Sequence, residues 1–456
     1  MTEKLFSPLF SRCILLGMLI FLAGVCWHYA FDFYVTQTGF VNDVFRLNFE
    51  NNIMPFYGRV KLVANNNFFL IGSAIVLSFC IYRYKAFLFS NEKYISNYVL
   101  FIYFILILLF AITESAERVS AVNVHYNSFA NDLHFYTSVS DILKNYISKQ
   151  SVMDIHNQHY PPGNLIVLKI FEMVGMLPFA KWFFVTISLC LISYCCYLLK
   201  VEYGNGYANL FSLLLSTCPG IIIFPSLDNS LWYAALAFLS FLSFVLYLKK
   251  FSHHHLFVCI LSLVIFAFFS FKIILITVAI AIYFLAHILN NNKTEIQKYF
   301  IVPVYILAGF GMVYFALYLF SGFNLLDCIL NSSHLNMKVM QTNGWDNVWR
   351  YLLRSTGNYF GLCIGAGIVL LFLFCKPNIS DKSRNIFFAT NATILFGCFS
   401  GLFFMETERV FVCLIPLIVI SAVFSIENIS AKQKAIIVIA SLTFSVLQEL
   451  FLQHYL

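Results

Sequence analysis

Uninterrupted apolar runs recur along the whole chain, and they restrict its fold more than any motif does. They lie at about 13–31, 67–84, 95–113, 179–199, 206–224, 229–248, 255–270, 273–289, 299–320, 358–375, 385–405, 410–425 and 433–450. A helix of roughly 20 apolar residues crosses a bilayer while satisfying its own backbone. Hydrophobic residues make up 61% of the 456 positions and charged ones 11%, where a soluble domain carries roughly a quarter of its residues as charge. Such a chain has too little polar surface to cover itself in water. The pattern predicts an all-α polytopic transmembrane helical bundle of roughly 11–13 spans, one integral membrane domain over residues 1–456. The runs on either side of Ser270-Phe271-Lys272 read as two spans or as one broken helix. The first run, from Cys13 to Phe31, lacks a small-residue cleavage site and reads as a retained span rather than a signal peptide.

Loop charge orients the bundle. With Lys4 and Arg12 on the cytoplasmic side, alternate short loops are basic: Arg83, Lys85 and Lys93, then Lys249 and Lys250, then Lys293 and Lys298. Lys376, Lys382 and Arg384 follow the same count, as do Lys432 and Lys434. This is the positive-inside pattern. The net charge of +7 is therefore topological; no basic stripe points to nucleic acid. The 13 cysteines fall almost entirely inside apolar runs, with Cys328 in a long loop, and no metal-type spacing occurs.

The opposite face then holds the polar chemistry. It comprises the 32–66 loop, a 114–178 external loop, Pro225 to Asp228, Lys272, a 321–357 external loop, and Glu406 to Arg409. In the 114–178 segment, Val139, Ile142, Leu143 and Tyr146 recur at helical spacing, which suits a helix lying in the membrane interface. Asp154-Ile-His156-Asn-Gln-His159-Tyr160-Pro161-Pro162-Gly163 follows, its Pro-Pro-Gly unit a rigid turn. A second interfacial helix is expected over Leu165 to Val174.

These features resemble the GT-C superfamily of polytopic membrane glycosyltransferases, in particular bacterial members that use sugars carried on a polyprenyl phosphate. The resemblance rests on an early acidic residue, Asp132, an interfacial helix, and the Tyr160-Pro161-Pro162-Gly163 turn before another helix. Pro225-Ser-Leu-Asp228-Asn-Ser-Leu-Trp-Tyr and Met405-Glu-Thr-Glu408-Arg409-Val resemble short loops of such proteins. The family places its acidic loop between the first two spans, whereas Asp132 follows the third apparent run. Either two helices precede the usual core, or the 32–66 loop with Asp32 and Asp43 is the counterpart.

The resemblance implies a glycosyltransferase, inverting in outcome, in the cell inner membrane with its active site facing the periplasm. Its partners would be a polyprenyl-phosphate sugar donor, an envelope glycan, lipid or protein acceptor such as O-antigen, and membrane lipids. Such a reaction needs a base for the acceptor hydroxyl and cations for the departing phosphate. Asp132 is the candidate base, helped by Asp154, against the reading of a solvated loop carboxylate that caps a helix. His156 and His159 read as hydrogen-bonding partners of phosphate or sugar, or as interfacial packing, with Tyr160 as scaffold. Arg409, beside Glu406 and Glu408, offers a bidentate fork to an anion or a local ion pair; Lys272 is a second cation. Asp228 orients a sugar hydroxyl or caps the helix that starts at Asn229.

The 321–357 loop, with His334, Lys338, Trp345, Asp346, Trp349, Arg350 and Arg354, is assigned to substrate recognition. His253-His254-His255 reads as a solvated turn. No cofactor is assigned, although one carboxylate and a phosphate can together hold a divalent cation. Two alternatives stay open: an O-antigen-type polymerase or ligase, and a lipid or sugar transporter of the flippase kind.

Overall fold

The structure, a computed structural model, describes residues 58–60, 68–114, 129–226, 228–290, 296–341, 348–373, 381–402 and 410–454. Its long helices in chain order are α1 (Phe68–Arg83), α2 (Ser96–Glu114), α3 (Val139–Lys149), α4 (Gly163–Met173) and α5 (Ala180–Tyr203). There follow α6 (Asn205–Leu215), α7 (Ser230–Lys250), α8 (His253–Phe269), α9 (Ile273–Asn290) and α10 (Ile296–Ser321). The chain continues through α11 (Leu325–Gln341), α12 (Val348–Ala366), α13 (Asp381–Phe399), α14 (Ile415–Ser425) and α15 (Ala431–Phe451). A three-residue antiparallel ladder pairs Gly58–Val60 with Leu452–His454, Arg59 opposite Gln453. All other regular structure among the described residues is helical.

Five of these helices are long and apolar enough to cross a membrane: Leu177–Tyr203, Ser230–Lys250, Ile273–Asn290, Ile301–Ser321 and Ala431–Leu450. A bent pair makes a sixth, and Phe68–Arg83, Ser96–Ile112, His253–Phe269, Gly357–Phe372 and Phe411–Ser425 are shorter apolar helices. The architecture is that of a helical bundle of multi-pass kind. Its centre is α7, whose apolar stretch is buried throughout, while only 6% of the Ile301–Ser321 stretch is buried. A helix apolar on every face belongs inside a bundle, and one exposed along its length belongs against lipid.

Three expectations change. The run at 206–224 is not one straight helix: α6 and the Pro219–Ser226 segment meet at a bend of 77°. Pro219 lacks the N–H to continue the ladder, and other carbonyls around the break find side-chain donors. Ser441 and Ser445 hydroxyls donate to Thr217 O at 3.0 and 2.7 Å, and the Tyr103 hydroxyl donates to Ile221 O. The 321–357 loop is helical where described: α11 fills its first half, α12 begins at Val348, and Cys328 is buried on α11 rather than in a loop. His253 to His255 form the first turn of α8, where His254 Nε2 meets the Tyr194 hydroxyl at 3.1 Å.

The break at Ser270 to Lys272 separates two helices, α8 and α9. Helices α5 and α7 run parallel. Near their N-termini the Phe184 and Trp232 rings lie 6.1 Å apart, and at their C-termini Glu202 bridges Lys249 and Lys250 at 3.3 and 2.8 Å. The two ends of the bundle are thereby distinguished, with Lys249 and Lys250 at one and Lys272 with the Pro161-Pro162 turn at the other.

Candidate functional site

The segment from Phe129 to Met173 forms a compact polar unit on the end opposite Lys249. Helix α3 begins at Ser138, whose side chain accepts from the Asp141 N–H, an N-cap worth about 1 kcal/mol. Ile142 and Tyr146 are its buried residues, with Val139 and Leu143 half-buried, as their spacing predicts. The Tyr146 hydroxyl is directed at two backbone carbonyls, Asn157 O at 2.7 Å and Tyr160 O at 2.6 Å. It thus pins the stretch between Asp154 and the proline turn.

Asp132 opens a short 3-10 turn (Asp132–Phe135) and is only 3% exposed, so it is not a solvated loop carboxylate. Its Oδ2 accepts from the Asp154 N–H at 2.9 Å and the Asn157 side-chain amide at 2.6 Å. Asn157 is itself buried and also donates to Phe129 O at 3.1 Å. Among the described residues no donor reaches Oδ1, which leaves one carboxylate lobe uncommitted. Burial pushes the Asp132 carboxyl above the usual aspartate range, and the two hydrogen bonds offset only part of that rise.

Asp154 caps the short helix Ile155–Gln158 by accepting from the His156 N–H, and its carboxylate lies 3.6 Å from His156 Nδ1. His159 ends that helix. Burial and the neighbouring His156 hold its imidazole below the ordinary histidine range, which makes it neutral at pH 7, and its Nδ1 is buried with no partner. A neutral ring offers hydrogen bonds to a ligand, not charge.

The proline turn fits the helix that follows. Pro162 is the N-cap and α4 begins at Gly163, one residue past the fixed-φ prolines. A side chain at Gly163 has no room: a Cβ there meets Phe268 O at 2.5 Å and the Phe269 ring at 2.9 Å. Only glycine lets α4 approach the backbone of α8 this closely.

That approach joins the unit to the bundle. Asn164, fully buried, donates to the Tyr233 hydroxyl at 2.9 Å and accepts from the Asn229 amide at 2.7 Å. The Tyr160 ring stacks on the Tyr233 ring at 6.2 Å and meets the Phe129 ring edge-on at 5.5 Å. Lys272, 5% exposed, places its ammonium 4.8 Å from the Tyr233 ring centre and 5.6 Å from that of Tyr160. Asp228 behaves as a cap, its Oδ1 accepting from the Ser230 N–H at 2.7 Å at the start of α7.

Asp132, Asp154, His156, His159, Tyr160 and Lys272 therefore belong to one connected cluster, and Asp228 caps the helix that carries Tyr233 into it. Glu408 and Arg409 lie outside the described residues, as do Trp345, Asp346, Asp32 and Asp43. Lys338 falls on α11, Trp349, Arg350 and Arg354 fall on α12, and His334 is exposed on α11. The chain matches no family model, no curated protein and no solved structure.

Sequence reasoning passed over Asn157, Asn164, Asn229 and Tyr233, which supply the cluster's frame. Lys181, on the first turn of α5 and 1% exposed, was also passed over. The available signal was cost: an amide or an ammonium inside an apolar run is stable only with partners. Among the described residues no group of three His, Cys, Asp or Glu side chains is arranged to hold a metal ion. A separate open groove of about 470 Å³ between α1 and α2, lined by residues such as Phe69, Val76, Ile102 and Leu109, has no titratable wall.

Proposed function

We propose that this chain is a membrane glycosyltransferase of GT-C type that moves a sugar from a polyprenyl-phosphate donor to an envelope glycan, lipid or protein acceptor. The observation that carries the reading is the Asp132 carboxylate. One lobe is fixed by two hydrogen bonds and the other is uncommitted, within a cluster that also contains a buried cation. Fixing one lobe orients the other, and a positioned carboxylate acting as general base contributes about 10²–10⁴-fold.

In the reaction, Asp132 Oδ1 accepts the proton of the acceptor hydroxyl as that oxygen bonds to the sugar's anomeric carbon. The bond from that carbon to the phosphate oxygen breaks, its electron pair leaves with the lipid phosphate, and configuration inverts. The cluster sits at the bundle end opposite Lys249 and Lys250. The positive-inside rule assigns those lysines to the cytoplasm and the cluster to the periplasmic face of the inner membrane.

A transporter is the second reading, favoured by the 77° break between α6 and Pro219, because broken spans recur in transporters. One assay separates the two. Purified protein in detergent is given a radiolabelled polyprenyl-phosphate sugar and an acceptor glycan. Label arriving on the acceptor is expected. Label that never reaches an acceptor, yet crosses the bilayer of sealed proteoliposomes, ends the transferase reading.

A further inference from the structure

Lys272 poses a problem that the transfer chemistry alone does not solve. It is only 5% exposed, and among the described residues its ammonium meets two tyrosine faces rather than a carboxylate. Aromatic faces attract an ammonium and hold it in place, but they do not neutralise it. Buried charges are ordinarily paired. Among the described residues, Lys272 Nζ donates no hydrogen bond.

The neighbouring turn of α7 repeats the pattern. Ser230 is 1% exposed, and among the described residues its buried Oγ has no hydrogen-bond partner. Asn229 is 3% exposed, and its Oδ1 is likewise buried without a donor, although its amide is held by Asn164. Ser230 lies three residues and Asn229 four residues before Tyr233, so all three share one helix face. The Tyr233 ring is the surface on which the Lys272 ammonium rests. Asp228 already occupies the Ser230 N–H, so the free end of the helix contributes little, and the recognition must come from side chains.

We propose that Lys272 and Ser230 form the seat of a phosphate group, with Asn229 Oδ1 receiving a hydroxyl of the sugar attached to it. The ligand is a lipid-linked phosphosugar. This rests on the transferase reading and deepens it, by fixing where the donor's phosphate lies. The ammonium gains an anion, the serine hydroxyl gains an acceptor, and the asparagine oxygen gains a donor. The stacked Tyr160 and Tyr233 rings hold the ammonium beside α7 and tie it to the turn that also holds Asp132.

The test is equilibrium binding to full-length protein in nanodiscs, with polyprenyl monophosphate as probe and inorganic phosphate as a separate arm. Lys272→Gln is expected to weaken lipid-phosphate binding at least tenfold, and Ser230→Ala threefold or more. Ser230→Ala deletes a hydroxyl that among the described residues bonds to nothing, so Tm is expected to stay unchanged and the test stays decisive if Lys272→Gln unfolds the protein. Binding within twofold of wild type in a folded Lys272→Gln protein, or in Ser230→Ala, overturns the seat. Inorganic phosphate bound as tightly as the lipid overturns the lipid-linked assignment. The two readings separate cleanly, because binding needs no turnover. Lys272-dependent binding without any sugar transfer sinks the transferase and leaves the seat. Sugar transfer with unaltered binding in both variants does the reverse.

Discussion

The Asp132 carboxylate is buried, with one oxygen held by two hydrogen bonds; the proposed role as base makes its ionisation the first thing to measure. Burial raises its pKa, so the acid limb of the pH–rate profile is expected above the ordinary aspartate range, and one falling near pH 4 contradicts the base assignment. The sign for stability is opposite to that of a salt-bridged aspartate. Because the folded carboxyl binds its proton more tightly than the unfolded one, raising the pH through the folded pKa charges a buried group and lowers stability. Asp132→Asn keeps an oxygen to accept from Asp154 and Asn157 and removes the buried charge. Its Tm at neutral pH is expected to equal or exceed the wild-type value, read by thermal unfolding in detergent. Tyr146→Phe removes the donor of two buried carbonyls, and a loss of about 1–3 kcal/mol is expected, seen as a lower Tm. An acidic residue before a proline turn advertised itself in the sequence. Asn157 did not, because an asparagine in a polar stretch looks the same whether it faces water or holds a carboxylate.

Among the elements, the turn at Gly163 does the most to join the polar unit to the bundle. Gly163→Ala forces a Cβ against the Phe268 carbonyl, a backbone atom that cannot rotate away. Overpacking of this kind costs about 1–3 kcal/mol, and a measurable fall in Tm is expected. No change in Tm contradicts the close approach of α4 to α8. The amphipathic helices α3 and α4 were legible from the spacing of their apolar residues; α4 lies close to its expected bounds, whereas the stretch expected from Asn131 becomes helix α3 only at Val139, after a 3-10 turn. The bend after α6 was not, because apolar composition alone carries no sign of direction. What reveals it is Pro219 with serines far away in the chain, Ser441 and Ser445, that serve the Thr217 carbonyl at the break. The helical state of Leu325–Gln341 was hidden by its polar residues. Its polar face has a use: Gln150 donates to Ser332 at 2.8 Å, and Ser332 donates to Gln158 O at 2.9 Å, clamping α11 onto the polar unit.

For the whole molecule, the account needs the cluster and the Lys249–Lys250 rim on opposite sides of the bilayer. A membrane-impermeant thiol reagent reads this directly. In intact cells, His134→Cys is expected to label above the native cysteine background, and His253→Cys only after permeabilisation; both positions are exposed. The reverse pattern places the cluster in the cytoplasm and removes the periplasmic enzyme. That the described residues are largely helical followed from hydrophobicity; the cluster of Asp132, Asp154, His156, His159, Tyr160 and Lys272 joins segments that loop charge had put on one face. How they gather depended on long-range pairings, such as Asn164 with Tyr233, that no local pattern encodes. Proton transfer to Asp132 is the step on which the proposed sugar transfer depends. It is tested most directly by the rate at which labelled sugar passes from a polyprenyl-phosphate donor to acceptor glycan with wild type and Asp132→Asn, matched for folded protein. A fall of about 10²–10⁴-fold at undiminished Tm is the expected result. An Asp132→Asn protein that transfers sugar at the wild-type rate contradicts it.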